Sequence, residues 1–292
     1  MSTLRFSIIQ TSLFWEDKGA NLDLLGQKIL GITEPTEIIV LPEMFNTGFS
    51  MQPEKFAETM DGPSVDWMRR MSTATKSIIT GSLIISDNGK YYNRLIWMLP
   101  NGQLGYYDKR HLFAFAGEDQ HYTPGNKRLI ASVKGWKINL QICYDLRFPV
   151  WARQELAKAS DERVKIDASD EGVKVDASDD NENSFSNTLT PEYDVLLYVA
   201  NWPEKRSHAW KTLLTARAIE NQCFTIGVNR VGLDGNNIAH SGNSMIVGPL
   251  GEVLYHCAYE EDIFHIVLQK EEIDNTRSKF PFWKDADFFH IQ

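Results

Sequence analysis

Apolar and polar residues follow two periods along this chain, one of about two residues and one of roughly 3.6. The first period predicts strands at Leu4–Gln10, Glu37–Leu41, Ser77–Ser86, Tyr91–Leu99, Leu104–Tyr107, Arg128–Val133, Lys137–Ile142, Tyr193–Ala200, Phe224–Asn229, Ser244–Val247, Glu252–His256 and Ile263–Leu268. The second predicts helices at Asn21–Leu30, Ser64–Lys76, Val150–Ala159 and Lys205–Asn221. Because strands and helices alternate with hairpins between them, we predict an α/β protein of layered sheets covered by helices.

Composition narrows the class of protein. The chain has 292 residues, 42% of them hydrophobic and 24% charged, which is typical of a globular protein. A net charge of −9 without a basic stripe argues against nucleic acid, and no apolar run has the length of a membrane span. The three cysteines, Cys143, Cys223 and Cys257, lack the paired spacing of disulfides or zinc sites. We therefore expect a cytoplasmic protein with no membrane partner.

Chemically active residues follow the carboxyl ends of several predicted strands. Glu43, Lys109, Cys143 and the pair Asn201–Trp202 each stand just beyond such an end, where α/β folds collect functional groups. Each has a structural alternative, since the glutamate and lysine suit solvated loops and free cysteine often serves as a small buried hydrophobe. An acid, a base and a thiol at one edge nevertheless favour a reactive site.

Two segments depart from the globular pattern. Residues Asp161–Asn187 are acidic, and Val164–Gly172 recurs in altered form as Val173–Asn181. A tandem duplication in a solvated surface loop explains this most simply, because the calcium alternative lacks the ligand order of an EF-hand. The aromatic C-terminal segment Phe280–Gln292 is predicted to pack on the body or on a second subunit. We expect one domain over 1–292, with an insert at about 160–190 and a tail at about 270–292.

Three blocks of the sequence carry a resemblance to a known family. Leu41–Phe49 (LPEMFNTGF), Tyr107–Phe113 (YDKRHLF) and Gln141–Pro149 (QICYDLRFP) resemble the glutamate, lysine and cysteine blocks of the nitrilase superfamily of carbon-nitrogen hydrolases. Their order and spacing match too, and the similarity runs from about residue 4 to residue 270. Within the superfamily, the third block and Tyr198–Pro203 (YVANWP) resemble the omega-amidases, which hydrolyse the terminal amide of 2-oxoglutaramate and related short dicarboxylic monoamides.

The resemblance implies a four-layer α-β-β-α sandwich, a homodimer and a catalytic set of Glu43, Lys109 and Cys143. An ordinary thiol is only a few per cent ionised at neutral pH, so Glu43 would act as the general base while Cys143 attacks the amide carbon. Lys109 and the backbone N–H of Tyr144 would stabilise the oxyanion. Ammonia would leave, and water would release the acid from the thioester. This small-molecule chemistry needs no cofactor.

Further residues receive supporting roles. Glu118 matches an additional glutamate of the family before a Pro-Gly turn, so we expect it to orient Lys109 or the substrate amide. A substrate carboxylate needs a cationic or hydrogen-bonding partner. The candidates for supporting or substrate-binding roles, besides Glu118 and Tyr144, are Arg147, Asn201, Trp202, Arg206 and Lys205. Arg147 could instead be a structural ion-pair residue.

Metal binding and two rival functions are alternative interpretations of the sequence. His111 and His121 lack acid or thiol ligands at metal spacing, so we predict hydrogen-bonding roles and no metal site. An aliphatic amidase, an N-carbamoyl amino-acid hydrolase or a nitrilase would use the same three catalytic residues. A catalytically silent scaffold that binds through its acidic repeat is the alternative from another class, and the intact glutamate, lysine and cysteine set opposes it.

Overall fold

The computed structural model describes residues 2–154, 164–167 and 190–287. The helices are α1 (Lys18–Leu30), α2 (Pro53–Phe56), α3 (Pro63–Thr75), α4 (Glu118–His121), α5 (Pro149–Ala152), α6 (Ser207–Asn221) and α7 (Lys270–Lys279). Short 3₁₀ turns span Ala114–Ala116, Cys143–Arg147, Glu204–Arg206 and Phe282–Asp285. None of these helices is long and apolar enough to cross a membrane.

Fourteen strands form two sheets in the described part of the chain. They are β1 (Thr3–Gln10), β2 (Ile38–Val40), β3 (Ile78–Asp87), β4 (Lys90–Met98), β5 (Leu104–Asp108), β6 (Leu129–Val133), β7 (Trp136–Ile142), β8 (Val164–Asp167), β9 (Val195–Val199), β10 (Phe224–Val228), β11 (Val231–Leu233), β12 (Ala239–Val247), β13 (Val253–Ala258) and β14 (Asp262–Gln269). The first sheet has the order β14-β1-β2-β3-β4-β5. The second has the order β11-β12-β10-β9-β7-β6-β8, with β13 paired to β12.

Both sheets combine parallel and antiparallel pairs. In the first, β1, β2 and β3 are parallel, and hairpins then add β4 and β5. In the second, β7, β9 and β10 are parallel at the centre. Parallel neighbours end at the same edge of a sheet, so the carboxyl ends of β2, β7 and β9 are available to build a site.

The core lies between the two sheets and beneath the helices. In β1, Leu4, Phe6 and Ile8 pack with residues of the second sheet, whereas Ile9 belongs to the cluster that α1 and α3 cover. This change of face at every residue is the two-residue period expected of a strand buried on both sides. The layers are therefore helix, sheet, sheet, helix, and the predicted α-β-β-α sandwich is confirmed.

Helix α6 covers the second sheet with side chains spaced four residues apart. Trp210, Leu214 and Ala218 are all fully buried, because positions four apart share one face of a helix. Gly227 of β10 lies directly below, where an added Cβ would stand 2.5 Å from Leu214 Cδ1. The absence of a side chain at this position is what lets α6 approach the sheet so closely.

Most predicted elements are observed with small changes at their ends, but some predictions were wrong. The helix predicted over Val150–Ala159 ends at Ala152, because Arg153 has an extended backbone. Residues 164–167, predicted as loop, form strand β8 beside β6. Strand β11 and helix α7 were missed. The remainder of the predicted insert, and most of its repeat, lie outside the described residues.

The C-terminal segment packs on the body through α7. Ile273 is fully buried, and Arg277 donates to Asp194 Oδ1 at 2.9 Å. Further along, the Trp283 backbone N–H donates to Gln222 Oε1, while Phe282 remains 62% exposed. The predicted packing on the body is therefore seen as far as residue 287, and the last residues lie outside the described range.

Candidate active site

The candidate residues come from both sheets. Glu43 follows β2 and Lys109 follows β5 in the first sheet, whereas Cys143 follows β7 and Asn201 follows β9 in the second. Because the sheets pack face to face, these strand ends meet at one end of the sandwich. The structure thus brings the three predicted catalytic residues together, although long stretches of chain separate them.

Lys109 lies at the centre of this group. Its Nζ is 2.9 Å from Glu43 Oε1, and it is 3.0 Å and 2.9 Å from the two carboxylate oxygens of Glu118. All three side chains are completely buried. Glu118 also accepts a hydrogen bond from the Phe113 N–H at 2.6 Å, so its carboxylate is fixed on both oxygens. A buried ammonium shared by two carboxylates keeps a fixed position beside the thiol.

Burial and neighbouring charge set the protonation of this group. The pKa of the Cys143 thiol is raised well above its ordinary value, first by burial and then by the charge of Glu43 and a hydrogen bond to it, with Lys109 opposing. Burial alone would lower the pKa of Lys109, but Glu118 and Glu43 outweigh it and raise that pKa. Burial also raises the pKa of Glu118, against the effect of Lys109. At neutral pH the lysine is charged and the thiol keeps its proton.

Two asparagines hold the Glu43 carboxylate. Asn201 donates its backbone N–H to Glu43 Oε2 at 2.7 Å, and its side-chain amide donates to the Glu43 carbonyl. Asn93 of β4, which the sequence reasoning missed, donates from Nδ2 to Glu43 Oε1 at 2.8 Å and lies 3.2 Å from Glu118 Oε1. The sequence signal for Asn93 is an asparagine next to an apolar strand, because the amide of a buried asparagine requires hydrogen-bond partners.

The cysteine sits in a constrained turn. Cys143 has φ of 43°, a left-handed conformation that is uncommon for residues other than glycine, and it begins the 3₁₀ turn Cys143–Arg147. Asp145 anchors this turn: its Oδ1 is 2.9 Å from His111 N and 2.8 Å from His111 Nδ1. The other oxygen accepts from Tyr107 Oη at 2.7 Å and from Ile142 N at 3.1 Å. The cysteine turn is thereby tied to the turn that carries Lys109.

The histidines His111 and His121 occupy different surroundings. His111 bonds to Asp145, and its ring stacks on Phe148 with centroids 3.8 Å apart. It therefore serves as the hydrogen-bonding group that was predicted. His121 is exposed at the end of α4. Among the described residues, no cluster of histidine, cysteine, aspartate or glutamate has the arrangement of a metal site.

A pocket opens beside the cysteine. Its cavity volume is about 60 Å³, and the space that includes its open mouth is about 500 Å³. Its lining comprises Phe49, Lys109, Phe113, Ala116, Cys143, Tyr144, Arg147, Asn201, Trp202, Pro203, Arg206, Asp234, Ile238 and His240. Tyr144 lies in the first turn of the 3₁₀ helix, where backbone N–H groups lack intrahelical acceptors. The pocket is therefore lined by a thiol and an ammonium, with Tyr144 of the 3₁₀ turn beside them.

Two guanidinium groups lie in this pocket without a carboxylate within ion-pair distance in the described part of the chain. Arg147 stacks on the Trp202 ring at 5.0 Å, and Arg206 stacks on the Phe113 ring at 4.9 Å. The pKa of Arg206 is lowered, chiefly by burial. The third predicted cation, Lys205, is exposed and is not part of the lining. The aromatic contacts orient both arginines and leave their charge available to an anion.

Comparison with known sequences gives the class of protein that this fold and site define. The profile of the carbon-nitrogen hydrolase family matches residues 5–172 and 181–278. The chain therefore belongs to the carbon-nitrogen hydrolase family, as the three sequence blocks indicated.

Particular relatives match over most or all of the chain. It is similar to omega-amidase YafV of Escherichia coli (strain K12), with 37% identity and complete coverage of both chains. It is 30% identical to a 2-oxoglutaramate amidase of Bacillus subtilis (strain 168), across 85% of this chain and 84% of that one. Among solved structures, a CN-hydrolase superfamily protein from Xanthomonas campestris with an arsenic adduct in its active site aligns completely, with 37% identity and a TM-score of 0.88.

Proposed function

We propose that this protein is an omega-amidase that hydrolyses the terminal amide of a short dicarboxylic monoamide of the 2-oxoglutaramate or 2-oxosuccinamate type. Family membership and the full-length likeness to omega-amidase YafV support amide hydrolysis. The observation that carries the substrate class is the pair Arg147 and Arg206, which face the thiol pocket without acidic partners in the described chain. Half-buried guanidinium groups of this kind are suited to bind a carboxylate.

Acylation begins at a thiol that is protonated at rest. Glu43 takes the proton of Cys143 as the sulfur attacks the amide carbon, because the raised pKa of the thiol leaves almost no thiolate without a base. The carbonyl oxygen becomes an oxyanion. When the tetrahedral intermediate collapses, Glu43 returns the proton to the leaving nitrogen. Ammonia departs and a thioester remains on the sulfur.

Oxyanion stabilisation comes from Lys109 and from the backbone N–H of Tyr144. The ammonium has three hydrogens. Nζ lies within hydrogen-bond distance of Glu43 Oε1 and of both Glu118 oxygens. We infer that one hydrogen goes to each carboxylate in the reaction, so that the third is left for the oxyanion. In this mechanism Glu118 acts by fixing the direction of Lys109. Loss of one oxyanion donor typically costs about 3 kcal/mol of transition-state stabilisation.

Deacylation repeats the same steps with water. Glu43 removes a proton from a water molecule that attacks the thioester carbon, and the second tetrahedral intermediate again places its oxyanion against Lys109. Collapse expels the sulfur, which recovers its proton from Glu43, and the dicarboxylic acid leaves. Asn201 keeps Glu43 in position in both halves of the reaction, through its N–H at 2.7 Å from Oε2.

Ammonia release from a substrate panel tests the proposal. The panel contains 2-oxoglutaramate, pentanamide as its uncharged counterpart, an aliphatic nitrile and an N-carbamoyl amino acid. We expect fastest turnover of 2-oxoglutaramate and its loss in Cys143→Ala. Preferred turnover of the nitrile or the carbamoyl compound would instead place the protein in another branch of its superfamily. Absence of turnover with every compound would support a catalytically silent scaffold.

The arginines are tested one at a time. In Arg147→Gln and Arg206→Gln, kcat/KM for 2-oxoglutaramate should fall roughly 10- to 150-fold, the equivalent of about 1.5–3 kcal/mol for a hydrogen bond to a charged group. The value for pentanamide should change less than about threefold, since that amide lacks the carboxylate. Lys205→Gln, an exposed neighbour, is the matched control. Equal losses with both amides would contradict a carboxylate site.

We further propose that 1–292 is one domain, that it pairs into a homodimer and that it works in the cytoplasm. Support for one domain comes from the family match on both sides of the acidic segment. Exposed apolar side chains, among them Val253 at 57% and Phe282 at 62%, support pairing, and sparse cysteines without disulfide spacing support a reducing compartment. Light scattering should give about twice the chain mass of 33.4 kDa.

A further inference from the structure

Asn93 contacts every charged residue of the catalytic group. Its side chain is fully buried in β4. The amide nitrogen Nδ2 lies 2.8 Å from Glu43 Oε1 and 3.2 Å from Glu118 Oε1. Its backbone carbonyl accepts a hydrogen bond from the Lys109 N–H at 3.0 Å. One asparagine thus links both carboxylates to the strand end that carries the lysine.

The hydrogen bonds to the Glu43 carboxylate show how Asn93 acts on this base. Oε1 receives the Lys109 ammonium at 2.9 Å and Asn93 Nδ2 at 2.8 Å, so both of its lone pairs are occupied. Oε2 receives the Asn201 N–H at 2.7 Å, which leaves one lone pair. A base held in this way has a single position at which it can take the proton of the Cys143 thiol.

We propose that Asn93 is a positioning residue: it occupies Glu43 Oε1, directs the thiol proton to Oε2, and joins the Glu43 and Glu118 carboxylates around Lys109. This inference rests on the proposed amidase reaction, in which Glu43 is the base. Asn93 does not touch the substrate, because it is absent from the lining of the pocket. It acts through the two carboxylates that it binds.

The competing explanation is that Asn93 merely fills space in the core, and two substitutions separate the explanations. Asn93→Ala and Asn93→Ser leave side chains of nearly equal volume, but alanine removes every donor whereas serine keeps one. A positioning role predicts that kcat falls about tenfold in the serine variant and about a hundredfold or more in the alanine variant. Simple packing predicts similar losses in the two variants. KM should stay within about threefold in both variants.

The pH profile provides a second readout, which packing would not move. An N–H donor favours the ionised form of a carboxylate, so its removal should shift the acidic limb of kcat/KM to higher pH in both variants. The limb reports the coupled carboxylates together. The matched control is Asn139→Ala, at a buried strand asparagine of β7 whose amide has no hydrogen-bond partner among the described residues. Its kcat and acidic limb should match those of the unmodified protein.

Each outcome is decisive. The inference is overturned if the alanine variant keeps kcat within about threefold, if its kcat equals or exceeds that of the serine variant, or if the acidic limb does not move. Thermal unfolding checks that the variants are folded, and if the alanine variant is not, the acidic limb of Asn93→Ser decides. Full ammonia release by Cys143→Ala would refute the amidase mechanism itself. Loss of turnover in that variant, with Asn93 variants unaffected, would refute only the role of Asn93.

Discussion

The carboxylate of Asp145 allows the stability of the cysteine turn to be tested by a single isosteric substitution. Four donors converge on it: the backbone N–H and Nδ1 of His111 on one oxygen, and Tyr107 Oη and the Ile142 N–H on the other. Asp145→Asn keeps the shape of the side chain but leaves one acceptor oxygen and introduces an NH₂ group. Two of the four donors must then face another donor.

The size of the destabilisation depends on which two of the four donors the new NH₂ group faces. Tyr107 Oη already accepts from Trp151 Nε1 at 2.9 Å and from the Arg110 N–H at 3.2 Å, so it cannot accept a third hydrogen. The less costly arrangement turns the NH₂ group toward His111, whose ring can accept in its other tautomer. The backbone N–H of His111 is then buried without an acceptor. Together with the lost charge, we expect a destabilisation of about 2–4 kcal/mol.

Urea unfolding measures this loss, as a lower midpoint with an unchanged slope. Asp119→Asn, an exposed position on α4, is the control and should lie within about 0.5 kcal/mol of the unmodified protein. Turnover by Asp145→Asn should fall as well, because the turn that presents Cys143 loses its anchor. A destabilisation below about 1 kcal/mol would show that this hydrogen-bond analysis is wrong.

Three further predictions concern charge and packing near the site. Glu43→Gln should lower turnover by about 10³-fold or more, because the general base is lost. The same substitution should lower the pKa of the Cys143 thiol, because the Glu43 charge raises it. Thiolate absorbance, measured relative to Cys143→Ala, follows this pKa. Gly125→Ala should cost about 1–3 kcal/mol in thermal unfolding, because the new Cβ would stand 2.2 Å from the Asp108 carbonyl. Burial, with help from nearby Arg230, lowers the pKa of His240 to about 4 from 6.5, so stability should decline as pH falls through that interval. The interval corresponds to as much as about 3 kcal/mol, which His240→Gln should remove.

Each of these predictions has an outcome that contradicts it. A higher thiol pKa in Glu43→Gln would mean that the carboxylate does not act on the sulfur as described. An unchanged melting temperature in Gly125→Ala would mean that the turn beside Lys109 yields easily. Equal pH dependence of stability in the unmodified protein and in His240→Gln would show that the buried imidazole is not a source of that dependence.

The residues at strand ends were predictable because their position depends on the fold alone. Once Glu43, Lys109 and Cys143 are assigned to the ends of buried strands, the geometry of an α/β sandwich places them at one edge. The two-residue period likewise identified β1 and β4 with nearly correct bounds. In these cases the local pattern of apolar and polar residues was sufficient to predict the structure.

Other features depend on contacts between distant segments and could not be inferred in this way. The role of Asn93 depends on the register that pairs Arg94 with Asp108 and so sets Asn93 beside Lys109. Two of the four donors to Asp145 belong to His111, 34 residues away. Strand β11 has only three residues, and its pairing with β12, not its own composition, defines it. In such cases tertiary contacts, and not the local sequence pattern, determine the structure.

The division of the proposed catalytic residues between the sheets would make activity depend on how the two halves dock. The proposed base and the ammonium belong to one sheet and the thiol to the other, so under this mechanism neither sheet alone contains a working site. A partly opened molecule would separate the sulfur from its proposed base. A thiol without a base reacts poorly with amides. The proposed mechanism therefore confines hydrolysis to the fully assembled sandwich, and partially folded chains would pose little risk of unregulated amide cleavage.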